Sequence, residues 1–190
     1  MDLEQIHESL KEVLNESRYK HSLGVKEVAQ DLAVIYGYNE DKAILGGVLH
    51  DCARYLSNDA LLQECDLRHI SITEIERSCP VLLHAKVGAL FARIKYGVED
   101  EEVINAITYH TTGRPKMTLL EKIIFTADYI EPYRKPLPRI DEIRKAAYRD
   151  LDYAVVLILE NMVNYLKDSQ KAMDQTTLQT YEYYKKILVL

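Results

Sequence analysis

Four of the six histidines in this 190-residue chain, together with two aspartates, lie in apolar stretches that have the spacing of helices. Folding should carry these polar groups toward the interior with their apolar neighbours, and burying each of them without a partner is costly. A cation held between imidazole nitrogens and carboxylate oxygens would offset that cost, and this mixed ligand set favours iron, manganese or zinc. The residues therefore predict a metal site assembled from distant parts of the chain. In chain order they are His21, the adjacent pair His50 and Asp51, then His84, His110 and Asp128.

The adjacent pair His50 and Asp51 makes this set more than a collection of isolated histidines. A lone histidine on a helix is more often a surface or satisfied core residue than a ligand, and we assign His7 and His69 to that class. The carboxylate of Asp51, in contrast, can present its two oxygens to two ions. A pair of ions about 3.5–4 Å apart suits in-line phosphoryl displacement. The residues leave open whether one or two ions bind.

Composition limits the classes of partner. The net charge of −6 opposes nucleic-acid binding, which depends mainly on phosphate neutralisation by lysine and arginine. Arginines nevertheless stand beside the candidate ligands, so a small phosphorylated ligand can find a local basic pocket. They are Arg18, Arg54, Arg114 and Arg134.

Cellular location is predicted from the cysteines and from hydropathy. The three cysteines form no CxxC pair, as expected for a reduced intracellular protein. No run of about 18 apolar residues is present, so we expect no membrane-spanning helix and no membrane partner. The beginning of the chain lacks the basic and apolar regions of a signal peptide. These features predict a cytoplasmic protein.

Helical periodicity along the chain predicts an all-α bundle, and no alternating strand pattern competes with it. The length favours one domain over residues 1–190. Asn39 and Asn58 are predicted helix caps, and Pro80 is predicted to occupy the first turn of a helix that carries His84 one turn in. The predicted helical segments are 3–14, 25–35, 39–51, a short one after Asn58, 80–94, 101–109, 119–130, 140–148, 151–166 and 177–190.

Two further segments have predicted positions. Residues 131–138 contain Pro132, Pro136 and Pro138, which cannot continue a helix, and this loop is expected to wall the site because it follows Asp128 directly. The tyrosines of the tail, Tyr181, Tyr183 and Tyr184, could stack on a nucleobase, but their spacing favours helix packing.

The order of the candidate ligands resembles the HD-domain superfamily of metal-dependent phosphohydrolases, and the flanking residues narrow the resemblance. Over nearly the whole chain they are similar to the YqeK-type symmetrical bis(5'-nucleosyl)-tetraphosphatases. The strings that carry this resemblance are RYKHSLGV at 18–25, GVLHDCAR at 47–54, HAKVGA at 84–89, YHTTGR at 109–114 and IFTADYIEPYR at 124–134.

This resemblance implies an HD-type helical bundle, a bound iron, a homodimer and hydrolysis of diadenosine tetraphosphate to two ADP. It assigns the principal iron site to His21, His50, Asp51 and Asp128. It assigns His84 and His110 to a second ion or to direct phosphate contact, and gives them a catalytic role with Asp51. The nucleotide would be held by Arg18, Arg54, Thr111 and Arg134. Arg54 stands where the family usually has lysine, and Glu182 where it usually has asparagine.

Several alternatives remain open from the residues alone. Manganese or another transition metal could replace iron, and the ligand could be a nucleoside diphosphate. The same ligand set would serve an HD nucleotidase or a pyrophosphohydrolase acting on guanosine polyphosphates. A non-catalytic, metal-dependent nucleotide sensor is the alternative from another class. The strings HTTGR and ADYIEP-x-R favour the tetraphosphatase through resemblance only, and the base preference, adenine or guanine, is left undecided.

Overall fold

All regular structure in the residues described by the computed structural model, 1–169 and 173–188, is helical, which confirms the predicted all-α class. A short 3-10 helix at Pro80–Leu83 precedes the sixth α-helix. The α-helices are α1 Leu3–Val13, α2 Glu16–Ile35, α3 Glu40–Leu49, α4 Asn58–Leu67, α5 Glu74–Ser78, α6 His84–Ile94, α7 Glu101–Tyr109, α8 Leu119–Ile130, α9 Ile140–Ala147, α10 Leu151–Asp168 and α11 Gln175–Ile187. Within these residues no helix is both long and apolar enough to cross a membrane.

Side-chain caps start three of the helices that position the candidate ligands, α2, α3 and α8. Asn15 accepts a hydrogen bond from the backbone N–H of Arg18 at 2.9 Å, so α2 begins nine residues earlier than the predicted segment and includes His21. Asn39 caps α3 as predicted. Thr118 begins α8 with a capping box, in which Thr118 and Glu121 each accept from the other's backbone N–H. Each cap satisfies a donor that the helix itself leaves unpaired.

Two other predicted helix starts were also wrong. Ser57, not Asn58, caps α4, because the Ser57 hydroxyl accepts from the backbone N–H of Ala60 at 3.2 Å. The segment 80–94 is divided between the 3-10 helix and α6, so His84 begins its α-helix and does not lie one turn inside it. Pro80 favours a helical first turn but does not distinguish the tighter 3-10 form from the α form. The short helix α5 was not predicted, since five residues show no periodicity.

The core lies between the helices that bring the ligands together. α2 packs on α3 and α8, and α7 packs on α6 and α8. Val25, Leu49, Ile107 and Ile124 are fully buried at these contacts. Burying side chains of this size stabilises the folded state by about 1.5–3 kcal/mol each. The same packing turns the polar ends of these helices toward one point.

The final helix packs against the turn that follows His110. The hydroxyl of Tyr184, 3% exposed, accepts a hydrogen bond from the backbone N–H of Met117 at 3.0 Å. Glycine is favoured at position 113 for two reasons. A Cβ there would meet the Cγ2 of Thr180 at 2.9 Å, and the φ of Gly113 is +62°, a value that other residues rarely adopt. Packing of the tail tyrosines is confirmed, most clearly for Tyr184. The last two residues of the predicted helix 177–190 lie outside the described residues.

Candidate metal centre

Five helices deliver the six predicted ligands to one buried centre. His21 lies on α2, His50 and Asp51 directly follow the last residue of α3, His84 begins α6, His110 directly follows α7, and Asp128 lies in the last turn of α8. The four histidines are at most 8% exposed and Asp51 is 2% exposed. His7 pairs with Tyr19 and His69 lies on the surface, so both stay apart from the centre, as predicted.

The imidazoles form two pairs with Asp51 between them. The Nε2 atoms of His21 and His50 are 3.1 Å apart, as are those of His84 and His110. Oδ2 of Asp51 lies 3.7 Å and 3.6 Å from the first pair, while Oδ1 lies 3.1 Å and 3.7 Å from the second. Asp51 therefore presents one oxygen to each pair, and two groups of three ligand atoms share this residue.

Asp128 lies beside the first pair. Its Oδ1 lies 3.1 Å from Nε2 of His21 and 3.8 Å from Nε2 of His50. With Asp128 added, the first pair faces two carboxylates, whereas the second pair faces the carboxylate of Asp51.

The second ring nitrogen of each histidine determines which nitrogen faces the centre. Nδ1 of His50 lies 2.7 Å from the carbonyl oxygen of Gly47, and Nδ1 of His110 lies 2.7 Å from the carbonyl oxygen of Ile107. A carbonyl only accepts, so Nδ1 carries the proton and Nε2 of a neutral ring carries a lone pair. Nδ1 of His84 likewise faces the carbonyl of Val81.

The donor set fits a cation. Around His84 and His110, two nitrogen lone pairs and an oxygen of Asp51 converge, and all three are acceptors. Buried acceptors without a donor are costly, and a divalent ion satisfies them together. The cluster is therefore suited to a divalent metal ion.

Electrostatics keeps the carboxylates charged at neutral pH. Burial alone would raise the pKa of Asp51, but nearby His50 and His84 hold it well below its usual range. The pKa of Asp128 is also lowered, since Arg134 and His21 outweigh the effect of burial. Burial, assisted by the neighbouring His50, lowers the pKa of His110 to about 3, so that ring is neutral.

His21 differs from the other histidines because its Nδ1 faces a carboxylate. Burial would lower its pKa, but hydrogen bonds to Asp128 and Glu131 outweigh burial and raise it to about 9. Without metal, His21 is therefore protonated at neutral pH. A metal ion that takes Nε2 must displace this proton.

Glu131 is a member of the site that sequence reasoning missed. It is 1% exposed, and its Oε1 accepts from Nδ1 of His21 at 3.0 Å while its Oε2 accepts from the backbone N–H of Tyr133 at 2.6 Å. Carboxylates placed behind ligand histidines in this way fix ring orientation and raise ligand basicity. The only local signal was an acidic residue between an apolar helix and Pro132, which is equally typical of a surface loop. A Cβ at Gly24 would lie 2.6 Å from Oε2 of Glu131, so glycine leaves room for it.

Two of the predicted nucleotide-binding arginines contact the candidate ligands directly. Nη1 of Arg18 lies 2.8 Å from Oδ2 of Asp51, and Nη2 of Arg134 lies 2.5 Å from Oδ1 of Asp128. Both arginines line an open cleft of about 330 Å³ beside His21, together with Ser17, Lys20, Glu131, Tyr133 and Lys135. The proline-containing loop walls this cleft, as predicted.

The remaining predicted residues lie farther along the surface. Arg54 lines a separate cleft, which shares Arg18 with the first. Thr111, directly after His110, lines a different cavity. Arg114 forms two hydrogen bonds with Glu121, at 2.9 and 2.7 Å, and is held in a structural ion pair.

Comparison with known proteins agrees with this geometry. The model of the HD domain family matches residues 18–133, which include all six candidate ligands. Two similar relatives are named "Bis(5'-nucleosyl)-tetraphosphatase, symmetrical". The one from Halalkalibacterium halodurans is 42% identical over 88% of this chain and 89% of that protein. The one from Bacillus subtilis is 37% identical over 96% of this chain and 97% of that protein. A crystal structure of a predicted HD superfamily hydrolase involved in NAD metabolism from Clostridium acetobutylicum is similar with a TM-score of 0.95 and 38% identity, covering 98% of both chains.

The matched ligands, the helical fold and the extent of this similarity together confirm the resemblance first seen in the sequence strings. The chain belongs to the HD-domain family and, within it, groups with the symmetrical bis(5'-nucleosyl)-tetraphosphatases.

Proposed function

We propose that this protein hydrolyses diadenosine tetraphosphate symmetrically, releasing two ADP. The observation that carries the proposal is the convergence of four imidazole Nε2 atoms and two carboxylates beside a cleft lined by arginines. The relatives that match over nearly their whole length carry the name of this activity.

The proposal includes a metal cofactor, which we take to be iron, with manganese or another transition metal as the substitute. His21, His50, Asp51 and Asp128 would hold the principal ion. His84 and His110, together with Asp51, would hold a second ion. When bound, such an ion supplies a Lewis acid and lowers the pKa of water.

The protein's own groups supply charge and orientation. The loose character of phosphoryl transfer leaves positioning and electrostatic stabilisation as the main tasks of the protein. Arg18 and Arg134 each offer a guanidinium that can engage two phosphate oxygens, and both already lie in the cleft. Glu131 keeps the Nδ1 proton of His21 in place, so Nε2 remains directed at the centre. Arg54 and Thr111 would contact more distant parts of the nucleotide.

We further propose that residues 1–190 act as one HD-type domain in a cytoplasmic homodimer whose partner is a small dinucleotide and not a nucleic acid. The net charge of −6 supports the last point. The dimer rests on family resemblance.

Turnover with purified protein tests the proposal. Metal-free protein would be reloaded with iron(II), manganese(II) or zinc(II) and given diadenosine tetraphosphate, with products resolved by chromatography. We expect ADP as the only nucleotide product. Equal amounts of ATP and AMP would contradict symmetrical cleavage, and no cleavage with any metal would favour the nucleotide sensor. Parallel reactions with a guanosine polyphosphate and a nucleoside monophosphate test the other HD activities.

A further inference from the structure

A mainly apolar cavity of about 500 Å³ is separate from the arginine cleft and shares no lining residue with it. Its apolar walls include Leu82, Met162 and Leu166, and the hydroxyl-bearing Thr111 and Thr112 lie along one side. This volume is in the range of about 300–1,000 Å³ that is usual for small-molecule sites, which combine apolar walls with a few polar groups.

The chain connects this cavity to the second pair of histidines. Leu82 precedes His84 by two residues, and Thr111 directly follows His110. The arginine cleft, in contrast, is lined by His21 of the first pair. Asp51 stands between the two pairs, so the cleft is next to the first pair, while the cavity is lined by residues that adjoin the second pair in the chain.

The wall formed by α11 is held in place by the fold. Thr177 of α11 is 3% exposed and lines the cavity. One and two turns later, Thr180 packs against Gly113, and Tyr184 accepts its hydrogen bond from Met117. The tail helix is thereby tied to the turn after His110. A wall held by such contacts loses less free energy to ordering when a ligand binds.

We propose that this cavity holds one purine ring of the dinucleotide, with the phosphate chain crossing the metal centre to the cleft around Arg18 and Arg134. The inference rests on the proposed function and adds the position of a base. A dinucleoside tetraphosphate cleaved at its middle must extend on both sides of the centre, so it needs a binding surface at each end. A flat aromatic ring suits the apolar walls of Leu82, Met162 and Leu166.

A bulky substitution in the cavity tests the base position. Met162→Trp should fill the space, and Asn164→Trp, at an exposed position of the same helix, is the matched control. Calorimetry on metal-loaded protein would measure binding of ADP and of inorganic diphosphate. We expect Met162→Trp to weaken ADP binding about tenfold or more while diphosphate binding stays within about twofold. Asn164→Trp should change neither. The parent has no tryptophan, so fluorescence of each variant reports its folding.

A second measurement needs no variant. Cys79 lines the cavity and is exposed, whereas Cys52 and Cys65 are buried, so alkylation of folded protein should report on Cys79. We expect saturating ADP to slow Cys79 alkylation at least about fivefold, and diphosphate at equal occupancy to leave it unchanged; a base that fills the cavity blocks access to the thiol.

The outcomes separate this inference from the proposed function. If the protein cleaves diadenosine tetraphosphate but ADP neither protects Cys79 nor responds to Met162→Trp, the base lies elsewhere and the reaction stands. If ADP protects Cys79 and diphosphate does not, the cavity is the base site even where no metal supports cleavage. Equal protection by ADP and diphosphate would overturn the inference, because protection would then not come from the base.

Discussion

Replacing Glu131 with glutamine tests the contact that orients His21. The carboxylate accepts two hydrogen bonds, from Nδ1 of His21 at 3.0 Å and from the backbone N–H of Tyr133 at 2.6 Å. Glutamine has nearly the same shape but only one acceptor oxygen and no charge, so one of the two donors loses its partner. Hydrogen bonds to charged groups contribute about 1.5–3 kcal/mol each.

The expected effect is on metal binding first and on activity as a consequence. Loss of a carboxylate behind a ligand histidine typically costs about 10–100-fold in metal affinity or activity, equivalent to roughly 1.4–2.8 kcal/mol. Metal affinity would be measured by competition with a chelator, and kcat/KM with diadenosine tetraphosphate. In metal-free protein the pKa of His21, which is about 9, should fall, because Glu131 is one of the groups that raise it. NMR titration of the imidazole measures this fall.

The matched control is Glu142→Gln, which removes an exposed carboxylate from its ion pair with Arg139 on α9. It should leave metal affinity, kcat/KM and the pKa of His21 unchanged. Urea unfolding of both variants would show whether a general loss of stability contributes. The orienting role would be refuted if metal affinity and kcat/KM of Glu131→Gln stayed within about twofold of the parent values. The charged carboxylate of Glu131 is hydrogen-bonded to Nδ1 of His21, so its loss should be felt at the metal centre.

Three further predictions follow from the same centre. His50→Ala and Asp51→Ala should each remove most of the metal and nearly all turnover, because each leaves buried acceptors without a cation. Unchanged metal content by elemental analysis would exclude the assigned ligands. Arg134→Ala should lower kcat/KM about 10–1000-fold, roughly 1.4–4 kcal/mol, while the metal is retained. Arg134→Lys should recover part of this loss. Steady-state kinetics of Arg134→Ala equal to those of the parent would make Arg134 an ordinary surface residue. Metal binding at pH 7.5 should release a proton from His21, whose pKa in metal-free protein is about 9, so apparent affinity should rise with pH and level off above about 9, where His21 is mostly deprotonated. Calorimetry in buffers of different ionisation enthalpy would detect the proton, and a buffer-independent heat would contradict its release.

Local signals in the sequence determined the helices and the candidate ligands. The bounds of α7 and α8 agree with the predicted segments 101–109 and 119–130, because an apolar repeat and a cap are both short-range features. The centre at His50 and Asp51 was predictable for a similar reason: a histidine and an aspartate inside an apolar helix must find a buried partner. The 3-10 start before His84 was not predictable, since Pro80 permits both helical forms.

Tertiary structure alone decided how these groups meet. Glu131 reaches His21 across 110 residues of chain, and neither residue carries a sign of the other in its own neighbourhood. Which oxygen of Asp51 faces which histidine pair depends on the packing of α3 between α2, α7 and α8, and so does the approach of Arg134 to Asp128. The close approach of α11 to the turn after His110 depends on Gly113, because a Cβ there would meet Thr180. Distances between side chains far apart in the chain are determined by how helices pack, and periodicity within one helix contains no information about them.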